Sequence, residues 1–254
     1  MIELLHLTKK FGGLVAVSDL TLQVGRGQFF AILGPNAAGK TTLLRVLAGL
    51  LKPTSGSARV AGFDIQGEPL EARRRMAYVP DFPFLYDKLT PWEFFRFTGQ
   101  IFQMSAERLE EAARELIPRF NLEEFARKPI DGLSHGTRQR VAIAAALLHD
   151  PEVFVIDEPM VGLDPQHSRV VKDVLKERTR RGCTVLMSTH QLSVAEEMAD
   201  TVGIMHQGRL VAVGAPGDLR RQASAGGGTL EQVFLNLTSG PAVLPEQARA
   251  QSAD

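Results

Sequence analysis

The sequence predicts an α/β fold: a mainly parallel sheet flanked by helices, a smaller antiparallel sheet before it and an inserted helical segment. Three observations predict it. Short apolar strands at 28–33, 153–157 and 184–188 alternate with stretches of helical spacing, as a parallel sheet covered on both faces requires. Strand signals crowd the first 25 residues, as a separate antiparallel sheet would. From Pro91 to about Phe125 the strand pattern gives way to a helical one.

Each element follows in order. Val15, Val17, Leu20, Leu22 and Val24 alternate in part with polar residues, as one half-buried face would. Gln28-Phe29-Phe30-Ala31-Ile32-Leu33 reads as a buried strand. Gly34-Pro35-Asn36-Ala37-Ala38-Gly39-Lys40-Thr41-Thr42 matches G-x-x-x-x-G-K-[ST], and Thr42 to Ala48 has helical spacing. In this strand, glycine loop, helix order, backbone N–H groups wrap a triphosphate and the helix N-terminus adds partial positive charge. Gly34, Asn36, Ala37, Ala38, Gly39, Lys40, Thr41 and Thr42 are therefore candidate nucleotide contacts. Lys40 is placed to reach the outer phosphates, and the Thr41 hydroxyl to hold Mg²⁺.

Strand signals return at Ala58–Gly62 and Met76–Val79, and Arg73-Arg74-Arg75 reads as a solvated helix end. Trp92, Phe94, Phe95, Phe97 and Phe102 mark one helix, Leu109, Ala112, Ala113 and Leu116 a second, and His135 to Leu148 a third. Six of the 14 phenylalanines lie between Phe82 and Phe102. They are expected to form the core of a helical subdomain at about 84–149 and, in part, a groove for a helix of a membrane partner. Val153 to Ile156 is an apolar strand running into two acids. Asp157 can hold Mg²⁺ through water beside the phosphate loop, and Glu158 can orient and deprotonate an attacking water. A strand at Thr184–Ser188, a helix at Gln191–Ala199 and a strand at Val202–Met205 follow. Ala223 to Gly228 reads as a flexible joint, and 241–254 as a disordered tail.

Composition narrows the class. An apolar fraction of 44% supplies a sizeable core, and Lys plus Arg equals Asp plus Glu at 29 each, so no net field draws in nucleic acid or anionic lipid. The one cysteine, Cys183, excludes an internal disulfide and fits a reducing compartment. No signal-peptide pattern opens the chain, and the longest apolar run, Val141 to Leu148, falls short of the ~20 residues of a membrane helix. The expectation is a soluble protein that docks on something in a membrane.

Leu133-Ser134-His135-Gly136-Thr137-Arg138-Gln139-Arg140, with Ser134 as N-cap, stands shortly before the acidic strand. Here nearly the whole chain, roughly 1–240, resembles the nucleotide-binding subunits of ATP-binding cassette (ABC) transporters, whose signature peptide reads Leu-Ser-Gly-Gly-Gln. The resemblance implies a P-loop NTPase core with ATP and Mg²⁺. It places Phe11 on the adenine, Gly162-Leu163-Asp164-Pro165 at a subunit boundary with Asp164 near nucleotide, and His190 as a switch at the γ-phosphate. It implies a head-to-tail dimer in which Ser134 and Gly136 of one copy meet the γ-phosphate held by Lys40 of the other. It also implies a separate transmembrane permease subunit, and hence a cytoplasmic chain peripheral to the membrane. Glu158, His190 and Lys40 are then the catalytic set; Thr41, Asp157 and Asp81 face the metal. The chain departs from the family at Asp81, where glutamine is usual, at His135 for glycine, at Thr137 for glutamine and at Ala37 for a glycine. Such departures resemble cassettes of two-part exporters. A soluble non-transport cassette ATPase and a degenerate regulatory cassette are the alternatives.

Overall fold

A computed structural model describes residues 1–223 and 229–238. Most of the expected joint and all of the expected tail lie outside the described residues. The larger sheet contains β3 (Phe29–Leu33), β6 (Met76–Val79), β7 (Val153–Asp157), β8 (Thr184–Thr189), β9 (Thr201–His206) and β10 (Arg209–Gly214), in the order β10-β9-β3-β8-β7-β6. All its pairings are parallel except β10 with β9. Every residue of β3, β7 and β8 is buried, which explains why these strands read as unbroken apolar runs. Their side chains alternate between two cores. Phe29, Ala31 and Leu33 join Phe154 and Ile156 on one face; Phe30 and Ile32 join Val153 and Val155 on the other.

The second core is closed by α1 (Lys40–Leu47) and by the antiparallel sheet of β1 (Ile2–Phe11), β2 (Leu14–Val24), β4 (Ser55–Val60) and β5 (Phe63–Asp64). Val17, Leu20, Leu22 and Val24 are buried as expected, but Val15 is exposed. The β1–β2 pairing carries register shifts and runs past the last β4 contact, so the hairpin tip leaves the core. After α2 (Pro69–Arg74), Arg75 also departs from expectation. It packs over the Phe63 ring, 4.2 Å from its centre, and pairs with Glu71, so only part of this basic run is solvated.

Three helices lie between β6 and β7: α3 (Pro91–Ile101), α4 (Ala106–Arg119) and α5 (His135–Leu147). Thr90 opens α3 with a capping box to Glu93, and Ser134 caps α5. The aromatic cluster divides between core and surface. Phe95 is fully buried, whereas Phe84 is 93% exposed on the rim of a groove of about 330 Å³. Pro83, Leu85, Phe94, Phe102 and His149 line that groove. His149 stacks on Phe102 at 3.6 Å, and its Nε2 lies 3.3 Å from the Met76 carbonyl. Burial pushes its pKa down to about 4.

Phe95→Ala should cost about 3–5 kcal/mol in urea unfolding, from lost burial plus the cavity, while Phe84→Ala should stay within about 0.5 kcal/mol. Burial also gives His149 a pH signature. The unfolded chain binds its proton near the ordinary 6.5, the folded one only near about 4, so stability is full above the first value and is lost as pH falls toward the second. His149→Gln should flatten that loss, on the order of 3 kcal/mol, in unfolding curves compared at about pH 7 and about pH 4.

Candidate active site at the strand ends

A cleft of about 550 Å³ opens where the C-terminal ends of β3 and β7 meet the tip of the β1–β2 hairpin. The phosphate loop forms one wall. Gly39, the N-cap of α1, has φ of +103°, and a Cβ there would lie 2.2 Å from the Ala16 carbonyl oxygen, so only glycine fits. Ala37, where the family has glycine, also lies in the left-handed region, at φ of +63°. The loop curls around Lys40, which is 7% exposed and donates to the carbonyls of Gly34 at 2.7 Å and Pro35 at 3.2 Å. Burial holds the Lys40 ammonium below its ordinary pKa, while Glu158 and Asp157 pull it back up.

The acids face this lysine from β7. Asp157 is 1% exposed. Its Oδ1 accepts from the Ser188 hydroxyl, and its Oδ2 is buried with no hydrogen-bond partner. The parallel register pairs Asp157 with Ser188, and Glu158, one residue beyond Asp157, lies beside His190, two residues beyond Ser188. Glu158 Oε1 lies 3.0 Å from His190 Nδ1 and 3.9 Å from Lys40 Nζ. The Glu158 backbone holds φ of +47° and donates to the Ser188 carbonyl at 3.1 Å. A strained, hydrogen-bonded residue at a strand end is a mark of a side chain aimed on purpose.

Asp81 follows β6 and lines the same cleft as Thr41 and Thr42. Burial raises its pKa first, then the charges of Asp157 and Glu158; His135 and His190 oppose them in part. Phe11 stands half-exposed at the rim, with Lys9 Nζ 4.9 Å from its ring centre.

The structure thus brings Phe11, Asn36 to Thr42, Asp81, Asp157 and Glu158 to one cleft, with Gly34 beneath Lys40 and His190 against Glu158. It leaves Ser134, Gly136 and Asp164 off the cleft walls. Ser134 Oγ accepts the Thr137 N–H at 3.3 Å, and Asp164 caps α6 (Pro165–Arg180) by accepting from His167 N–H at 2.9 Å. Thr137 turns inward, where Arg140 donates to its hydroxyl at 3.1 Å and ties α5 to the carbonyls of Phe120 and Asn121. Sequence reading did not assign Ser188 a part, nor Gln207 and Gly208, which line the cleft. The Gly208 N–H donates to Ala38 and its carbonyl accepts from Ser18, stapling the phosphate loop to β2. Gln207-Gly208 between two apolar runs is a hairpin-turn signal that could have revealed them.

Gly39→Ala should abolish measurable nucleotide binding and cost more than about 2 kcal/mol of stability, because a backbone carbonyl blocks the added methyl. Calorimetric titration with ATP and thermal melting check both.

Comparison with known proteins fits this geometry. The family model described as "ABC transporter" matches residues 17–161. The chain is 39% identical over 219 residues to the Nod factor export ATP-binding protein I of Cupriavidus pinatubonensis, covering 86% of this chain and 67% of that protein. It is 35% identical over 240 residues to the probable multidrug ABC transporter ATP-binding protein YbhF of Escherichia coli, covering 93% of this chain. The chain spans only 41% of the length of that relative. A dimeric ATP-binding cassette solved in a post-hydrolysis state with ADP and Pi superposes with a TM-score of 0.77 at 29% identity, covering 85% of this chain and 98% of that one. The cleft, its P-loop NTPase fold and these likenesses agree: the chain belongs to the ABC transporter family, as one of its ATP-binding cassettes.

Proposed function

We propose that this chain is the ATP-hydrolysing subunit of an exporter, working as two copies beneath a separate transmembrane subunit. The observation that carries the proposal is the convergence of Lys40, Asp157, Glu158 and His190 at the phosphate loop. The relatives named for Nod factor export and multidrug transport support export as the direction. A complete set of these four groups favours turnover over a degenerate regulator.

In the proposed reaction the phosphate-loop amides and Lys40 bind the triphosphate, and Phe11 stacks on the base. Among the described residues no group of three His, Cys, Asp or Glu side chains is placed to hold a metal ion. Mg²⁺ instead takes few protein ligands beside nucleotide phosphates. The unpartnered, buried Asp157 Oδ2 suits that task, with the Thr41 hydroxyl and Asp81 beside it. When bound, the ion supplies charge neutralisation to the phosphates. Glu158 accepts the proton of the attacking water, and His190, held at 3.0 Å by Glu158, is placed to contact the γ-phosphate.

Ser134 and Gly136 lie off the cleft of their own chain, so a second, head-to-tail copy is invoked to present them with the α5 N-terminus and Asp164 to the γ-phosphate. The helix dipole is worth ~0.3–1 kcal/mol when exposed and up to ~2 when partly buried. Charge-assisted hydrogen bonds add ~1.5–3 kcal/mol each. Two such sites suffice to bias closure, and loss of the bridging phosphate reopens the pair. The groove at Phe84, Phe94 and Phe102 supports docking of a helix of the membrane subunit, and the proposal seats the chain on the cytoplasmic face of that membrane. No nucleic-acid partner is assigned.

Glu158→Gln should keep ATP affinity, lower the hydrolysis rate about 10²–10⁴-fold and leave a stable ATP-bound dimer in light scattering. A normal rate in that variant refutes the role of Glu158. Lys40→Ala should lose tight ATP binding by calorimetry, and unchanged affinity would contradict the phosphate-loop assignment.

A further inference from the structure

We propose that His135 is a positioning residue: its solvent-exposed ring, lying against Phe82 on one side and Gly162 on the other, sets where the Ser134–Gly136 turn stands. The His135 and Phe82 rings sit 6.0 Å apart, tilted by 57°. On its other side the imidazole lies against bare backbone. A Cβ on Gly162 would come within 2.3 Å of His135 Cδ2, and Gly162 holds φ of +76°. The ring therefore occupies the space that any side chain at 162 would need. Gly136 makes a second close approach, its would-be Cβ falling 2.8 Å from the Gly162 carbonyl oxygen.

The position of the two contacts gives them consequence. Phe82 belongs to a segment whose neighbour Asp81 lines the nucleotide cleft and whose next residues, Pro83, Phe84 and Leu85, line the groove. Gly162 lies between Glu158, which faces Lys40, and Asp164, the cap of α6. One imidazole thus touches both loops that lead away from the acids, and it sits beside Ser134. A displacement of either loop, from the cleft or from the groove, is passed to the Ser134–Gly136 turn through direct packing. With glycine at 135 neither contact exists.

This inference rests on the reading that Ser134 and Gly136 serve a partner copy's nucleotide, and its test separates the two. Hydrogen exchange on the nucleotide-free chain probes the His135 contacts alone. His135→Ala should raise exchange at 134–138 and at 160–163, Phe82→Ala should do the same, and the double variant should add little, because both remove one contact. His135→Phe, which keeps a ring, should restore protection. In steady-state ATPase assays His135→Ala should lower kcat at least about tenfold with KM for ATP within about twofold, since every residue lining the chain's own cleft is retained and the geometry presented to the other copy is lost. A merely structural role would move the melting temperature and leave that split absent. Unchanged exchange in His135→Ala, or kcat and KM both equal to the parent's, overturns the proposal. If the parent chain itself neither hydrolyses ATP nor pairs, the two-copy reading fails, and the exchange result still decides the His135 contacts.

Discussion

The site depends on one electrostatic constraint: a buried ammonium, Lys40, facing two consecutive acids at the end of a buried strand. Asp157 and Lys40 are almost fully removed from water. Buried charges are tolerable only when paired and hydrogen-bonded, and here Gly34, Pro35, Ser188 and Glu158 supply most of the partners. Asp157 Oδ2 stays buried with no hydrogen-bond partner, and the proposed function gives it to a cation. The parallel sheet makes the constraint possible, because it delivers β3, β7 and β8 to one edge with their apolar bodies covered on both faces.

The same logic explains what was legible in the sequence. Strands buried on both faces appear as uninterrupted apolar runs, so β3, β7 and β8 and the polar residues that end them were readable directly. The phosphate loop was readable because its glycine and lysine answer local demands, the +103° φ at Gly39 above all. Boundaries set by tertiary contact were not. Val15 leaves the core because register shifts and the end of β4 pairing free the hairpin tip. Arg75 is drawn out of solvent by the Phe63 ring, a neighbour that its local sequence does not announce.

Residues that act across elements were the least legible. Ser188 matters through the β7–β8 register, and Gly208 through hydrogen bonds to Ala38 and Ser18. His135 looked like a simple departure from a motif. Its meaning depends on the convergence of segments 81–85, 134–136 and 160–164, which no local pattern encodes. Thr137 is similar: the family's glutamine is replaced by a residue turned inward to Ser134 and Arg140.

The central proposal is that each nucleotide site is shared between two chains, with Lys40 and Ser134 of one chain serving different clefts. Mixing two inactive proteins tests it most directly. Lys40→Ala lacks one half of every site, and Ser134→Arg lacks the other. A mixed pair retains one intact site, with Lys40 from one chain and Ser134 from its partner. The account predicts that ATP trapping and hydrolysis, absent from either variant alone, return on mixing. No recovery, in a mixture shown by native mass spectrometry to contain the mixed pair, would contradict it.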